Sequence, residues 1–169
     1  MRETPDPIPY RDHLPAVYRF AFLMTGNAAA AAEVLRHTVE EAEREGLGDL
    51  RNPRQVRRWL FTHARSACRR PHTVARPVPT AATDEASFLP APDASASVPT
   101  LDAASDSSEQ LALLFGGLPE AERGAAILFY LYLFTPVELA EVLEIKPDDL
   151  GTLLTRSRAL LQRQKVPVC

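Results

Sequence analysis

Residues 71–108 set the terms for the rest of the chain. They are Ala, Pro, Ser and Thr with scattered acids, and no apolar periodicity survives in them. Such a run offers too little apolar surface to offset the entropy of ordering it. The apolar residues of the 169-residue chain are thus gathered at its two ends, and each end has to build its own elements. The segment is predicted to be a flexible linker, and the proline-rich start, 1–9, a flexible arm.

Both ends read as helical. Leu14, Val17, Tyr18, Ala21 and Phe22 recur at the spacing of one helix face, and Gly26-Asn27 closes that segment. Val34, Leu35, Thr38, Val39 and Ala42 mark a second helix running to about Glu45, with a stop at Gly46 or Gly48. Asn52-Pro53 supplies an N-cap and a proline at the first helical position of a third. Its apolar face is Val56, Trp59, Leu60, His63, Ala64 and Ala67, and Pro71 stops it. Beyond the linker the pattern resumes at Glu109 with Leu111, Leu114 and Leu118, and Pro119 opens a helix expected to stay buried through Phe134. Thr135-Pro136 with Glu138 reads as a capping box before a short helix. After Glu144-Ile145-Lys146 comes a longer helix with Leu150, Leu153, Leu154, Leu160 and Leu161 on one face. Two amphipathic helices separated by so few residues outline a helix-turn-helix. No strand signal appears. The expected fold is all-α: two small helical domains, 10–70 and 109–165, joined by the linker 71–108. Units of about 60 residues bury only about 60% of their unfolded surface, so both should be marginal alone.

Charge and cysteine usage narrow the function. The chain carries a net −3, but residues 10–71 hold eleven basic and seven acidic side chains, and 109–169 six basic and eight acidic. A basic first domain with an acidic remainder suits nucleic-acid contact through one part only. The two cysteines, Cys68 and Cys169, form neither a disulfide framework nor a CxxC pair, which fits a reducing compartment. The N-terminus has no apolar core of a signal peptide. The longest apolar run, Ala125–Phe134, is ten residues, about half of what a membrane span requires. No membrane insertion is expected, and the default location is cytoplasmic.

No catalytic constellation, metal-ligand spacing or phosphate-binding glycine loop is present, so neither enzyme activity, metal nor cofactor is expected. His63, on the apolar face of its helix, reads as a satisfied core histidine. The strongest polar pattern is in the third helix. At 100° per residue, Arg54, Arg58, Arg65 and Arg69 fall within about 60° of one another, opposite the Trp59/Leu60 face. With Phe61 at its edge, this stripe suits a nucleic-acid backbone and a stacked base. The last helix is a weaker reader. Its solvent face is Asp148, Asp149, Gly151, Thr152, Thr155 and Arg156, and two acids sit at the helix end that attracts anions.

These residues resemble the extracytoplasmic-function sigma factors, the small two-domain sigma subunits of bacterial RNA polymerase. LPAVYRFAFLMTGNAAAAAEVLRHTVEEA…NPRQVRRWLFTHARSACRR looks like their region two, and LPEAERGAAILFYLYLFTPVELAEVLEIKPDDLGTLLTRSRALL like region four. The resemblance implies binding to core RNA polymerase, to promoter DNA and to an anti-sigma factor. Trp59, Leu60, Ala64 and Arg65 match the W-L-x-x-x-A-R run near the family's DNA-melting surface, which implies DNA contacts from Arg54, Arg58, Trp59, Phe61, Arg65 and Arg69. Ala30–His37 matches the clamp-binding helix, with only Glu33 keeping an acid of the D-A-E-D-L-x-Q-E pattern. It implies polymerase contacts from Glu33, Arg36, His37 and Glu40. In the recognition helix Asp148–Leu153 replaces G-T-V-K-S-R, and Glu144 stands for the turn glycine. DNA contacts would fall there to Thr152, Thr155, Arg156 and Arg158. Two functions are compatible with this pattern: a transcription-initiating sigma factor, or a sigma-like protein that binds an anti-sigma factor or another regulator without initiating transcription.

Overall fold

The computed structural model describes residues 10–47, 50, 52–71 and 106–164. The expected arm 1–9 and most of the expected linker, 72–105, lie outside the described residues. The fold is all-α, with no strand among the described residues. A 3₁₀ turn at Tyr10–His13 leads into α1 (Leu14–Thr25), α2 (Ala28–Arg44) and α3 (Pro53–Cys68). The second half comprises α4 (Asp106–Gly116), α5 (Glu120–Ala126), a π-helical turn at Ile127–Leu131, α6 (Pro136–Leu143) and α7 (Pro147–Gln164).

Local chemistry explains the boundaries. Gly26 ends α1 in the left-handed conformation, φ 67°, and its N–H donates to Phe22 O. Asn27 then caps α2 by accepting from the Ala30 N–H at 3.0 Å. Asn52 caps α3 by accepting from the Arg54 N–H, with Pro53 at the first turn. At α6, Thr135 Oγ1 accepts from the Glu138 N–H while Glu138 accepts from the Thr135 N–H at 3.1 Å, a complete capping box. The α6–α7 connection is Glu144-Ile145-Lys146, as the spacing predicts, and Glu144 takes the left-handed conformation at φ 56°.

The two halves do not keep separate cores. Helices α1, α2 and α3 pack together, α5 packs on α6 and α7, and α1 and α3 also pack against α4 and α6. Buried residues of both halves form one continuous cluster. This seam explains where helix faces differ from the sequence pattern. Phe20, Leu23 and Met24 are buried although they lie off the expected α1 stripe: Phe20 packs edge-on to Phe61 of α3 and to Tyr132, and α4 and α5 also pack on α1.

One expectation needs correction. The run Ala125–Phe134 is not a single buried helix. Burial holds through Leu128, but Tyr130 is 44% exposed, Leu131 37% and Leu133 78%. The helix widens into its π turn at Ile127, and the chain then leaves the core through Leu133, which adopts φ 52°. Phe134 returns to the core, its N–H donating to Leu128 O. No helix among the described residues is long and apolar enough to cross a membrane.

Candidate nucleic-acid interface

The arginine stripe of α3 faces the seam. The buried arc of α3 is Val56, Leu60, Phe61, Ala64, Arg65 and Ala67, rotated towards the second half relative to the arc expected from periodicity. Phe61 is not poised to stack a base. It is 1% exposed, edge-on to Phe20 at 5.4 Å and to Phe134 at 5.3 Å, and tilted on Tyr132 at 4.9 Å. The physical reason is simple: α6 and the segment before it supply a second apolar surface that an isolated helix pattern does not reveal.

Arg65 is likewise no surface residue. Its side chain is 4% exposed, with Nη1 donating to Leu143 O at 3.2 Å and Nε 3.3 Å from the Glu120 carboxylate. The geometry leaves Nε without a hydrogen bond in a buried position. Burial pulls the guanidinium below its ordinary pKa, Glu120 opposing. An arginine stays charged under such a shift. The rest of the stripe lies at the rim. Arg69 donates from Nε and Nη2 to the two oxygens of Glu120, both at 3.3 Å. Arg58 pairs with Glu141 of α6. Arg54 is exposed at the start of α3 and acts electrostatically on Glu138.

Further residues unmarked by the sequence pattern complete the seam. Arg57 donates to Tyr132 O and lies 4.1 Å over the Phe134 ring. Tyr132 donates to Ala16 O at 2.9 Å, and burial pushes its phenol up to about 12. Arg123 of α5 donates to Met24 O, Gly116 O and Leu118 O, tying the end of α1 to the end of α4. No sequence signal marked these three, since their partners are backbone carbonyls and a ring distant in the chain; the charge asymmetry between the ends pointed only to the pairs of Arg58 and Arg69 with Glu141 and Glu120.

Beside the seam lies an open cleft of about 450 Å³ lined by Leu50, Gln55, Arg58, Trp59, Thr62, His63 and Glu141. Trp59 is half-buried at its wall, stacked on His63 at 3.6 Å, and its Nε1 donates to Glu45 at 2.9 Å. His63 is half-buried rather than a core residue. Its Nδ1 lies 2.9 Å from Trp59 O, a contact that requires the proton on Nδ1 and turns Nε2 to Glu45 at 4.0 Å.

The other expected contact residues are on open surface, except His37, which is half-buried. On α2, Arg36 pairs with Glu33 at 2.6 Å and with Glu40, and both raise its pKa. His37 lies 3.8 Å from Glu41 and meets Arg70, two residues beyond α3. Glu33, Arg36 and Glu40 form a ridge of alternating charge one helix turn apart, with His37 beside Arg36. On α7, Thr152, Thr155, Arg156 and Arg158 are exposed, as are Asp148 and Asp149 at its first turn. Arg156 leans back to 3.7 Å from the largely buried Glu122. Among the described residues no three His, Cys, Asp or Glu side chains gather as for a metal ion.

Known proteins give a fold and no sequence family. No family model matches the chain, and no curated protein matches it. Among solved structures it is similar to the sigma factor RpoE from Bartonella quintana, determined in complex with the anti-sigma factor NepR. The TM-score is 0.59 at 19% identity, over 89% of this chain and 89% of that one. At that identity the likeness concerns the fold alone, and it extends over most of both chains.

Proposed function

We propose that the chain is a sigma-type transcription factor that binds core RNA polymerase through the α2 ridge of Glu33, Arg36, His37 and Glu40, and promoter DNA through the α3 arginines. The observation that carries this reading is the near whole-length likeness to a solved sigma factor. The stripe supports it, since Arg54, Arg58 and Arg69 stand at the rim, within reach of a polyanion. The test is co-elution with core polymerase followed by run-off transcription from promoters of the source organism. Arg54→Glu with Arg69→Glu should abolish DNA engagement while core polymerase still co-elutes. Arg65 is left untouched, because a glutamate there would be buried against Glu120. Absence of both co-elution and any promoter shift at low salt would sink the reading.

A second reading is a sigma-like adaptor that binds an anti-sigma factor without initiating transcription. The exposed Asp148 and Asp149 at the start of α7 favour it, since they repel phosphate where a helix-turn-helix reader needs to attract it. The solved sigma factor it resembles was bound to an anti-sigma factor. Under this reading the Arg54/Arg69 charge reversal leaves partner binding intact, and wild-type protein gives no run-off product.

A further inference from the structure

We propose that Glu120 and Glu141 act as an intramolecular stand-in for nucleic-acid phosphate, so that the second half of the chain competes with DNA for Arg58 and Arg69. The inference rests on the reading of α3 as a polyanion-binding helix and adds its regulation.

The geometry is that of a phosphate contact made by carboxylate. Glu120 presents one oxygen to Arg69 Nε and the other to Nη2, both at 3.3 Å, the two-pronged arrangement an arginine also offers a phosphate. The same carboxylate sits 3.3 Å from Arg65 Nε, so a single acid serves two arginines of the stripe. Glu141 engages Arg58 across the cleft beside Trp59. The two acids come from α5 and α6, the arginines from α3 and its C-cap, Arg69. Two cationic sites that a nucleic-acid backbone would use are therefore occupied while the halves are joined.

The contacts are placed so that they can be exchanged. Side chains of Arg58, Arg69, Glu120 and Glu141 are all between 40% and 50% exposed. The apolar seam behind them, built on Phe61, Phe134 and Tyr132, need not part for the rim pairs to open. Ion pairs at that exposure are weak and screened by salt, whereas a polyanion gains from counterion release at each phosphate neutralised. DNA thus displaces the acids at a modest cost in affinity, and any partner that draws Glu120 or Glu141 away raises affinity for DNA.

The test measures binding of the full chain to a fluorescein-labelled oligothymidylate by anisotropy at fixed low salt. Glu120→Gln with Glu141→Gln keeps the shape of both side chains and removes the competing charges. A control, Asp12→Asn with Glu109→Gln, changes net charge equally at two exposed positions outside the arginine stripe. The seam variant should bind about three- to tenfold more tightly than the control, the factor that two half-exposed ion pairs of ordinary strength impose. Because Glu120 also faces buried Arg65, Glu141→Gln alone is the second variant, with a smaller gain carried by Arg58. If wild type binds and neither variant gains over the control, the competition is overturned and the α3 reading stands. If no variant binds the oligonucleotide at all, both fall together.

Discussion

Phe61 separates a core position from a DNA-contact position, and Phe61→Ala is the sharpest test of the packing. The side chain is 1% exposed and meets Phe20 of α1, Tyr132 and Phe134, so its ring joins the two halves. Truncating a buried phenylalanine costs about 3–5 kcal/mol through lost transfer energy and the cavity left behind. A value of at least the middle of that range applies here, since edge-on aromatic pairs add about 0.5–1.5 kcal/mol beyond area. A loss of about 4 kcal/mol is a large share of the stability of about 5–15 kcal/mol that such a chain commands. With a urea slope of about 2 kcal/mol per molar, the midpoint should fall by about 2 M. Phe61→Leu, which keeps most of the volume, should cost about 1.5 kcal/mol. The assay is urea unfolding followed by far-UV circular dichroism, with fluorescence of Trp59, the single tryptophan, as a second probe. A shift of Phe61→Ala below about 0.5 kcal/mol, paired with selective loss of oligonucleotide affinity, would place the ring on the surface and refute the seam.

Other expectations follow from single residues. Glu144 holds φ 56° at the α6–α7 turn, and a left-handed non-glycine residue costs about 1–2 kcal/mol, so Glu144→Gly should raise stability by about 1 kcal/mol in thermal unfolding. No gain would mean that the attraction of Glu144 for buried Arg65 outweighs the backbone strain. Thr135→Ala removes one side of the capping box and should cost about 1 kcal/mol at neutral pH. Hydrogen bonds from the Thr135 backbone and side chain hold the Glu138 carboxyl below its ordinary pKa. Its contribution is therefore full above the unfolded-state pKa and lost as pH falls through the lower folded one. The cost of Thr135→Ala should shrink in acid, and a pH-independent cost would contradict this coupling. Burial pushes the Cys68 thiol up to about 12, so in a Cys169→Ser background it should resist a thiol reagent at pH 8 until urea unfolds the chain. Rapid labelling of the folded protein would show that α3 opens there.

What the sequence made legible is what chemistry decides within a few residues. The caps at Asn52-Pro53 and Thr135-Pro136-Glu138, the stop at Gly26 and the three-residue connection at Glu144–Lys146 each depend on groups one helical turn apart. The all-α class follows from the same local periodicity. The end of the apolar run was not legible in that way. Nothing in ILFYLYLF announces that the helix widens at Ile127 or that Leu133 turns outward, because the choice depends on how much core the neighbouring helices leave to fill.

The stripe on α3 shows why the site was harder to read than the fold. A helical wheel assigns one apolar face and takes everything opposite to be solvent, but α3 is covered on two sides. Val56, Leu60 and Ala64 are buried, Phe61 meets both Phe20 of the first half and Phe134 of the second, and Arg65 reaches the Leu143 carbonyl. Placing Arg65 in a buried arc is tolerable only because Glu120 and the Leu143 carbonyl are there to receive it. Neither partner is near in sequence. The same cationic row that suits a nucleic-acid backbone therefore suits two glutamates from α5 and α6, and charge counting over separate ends cannot distinguish the two occupants. The rim positions of Arg58 and Arg69 keep both options open in one molecule. If α3 binds DNA as proposed, competition between an internal carboxylate and an external phosphate follows from this packing, and the affinity would be set by how firmly Glu120 and Glu141 hold Arg69 and Arg58.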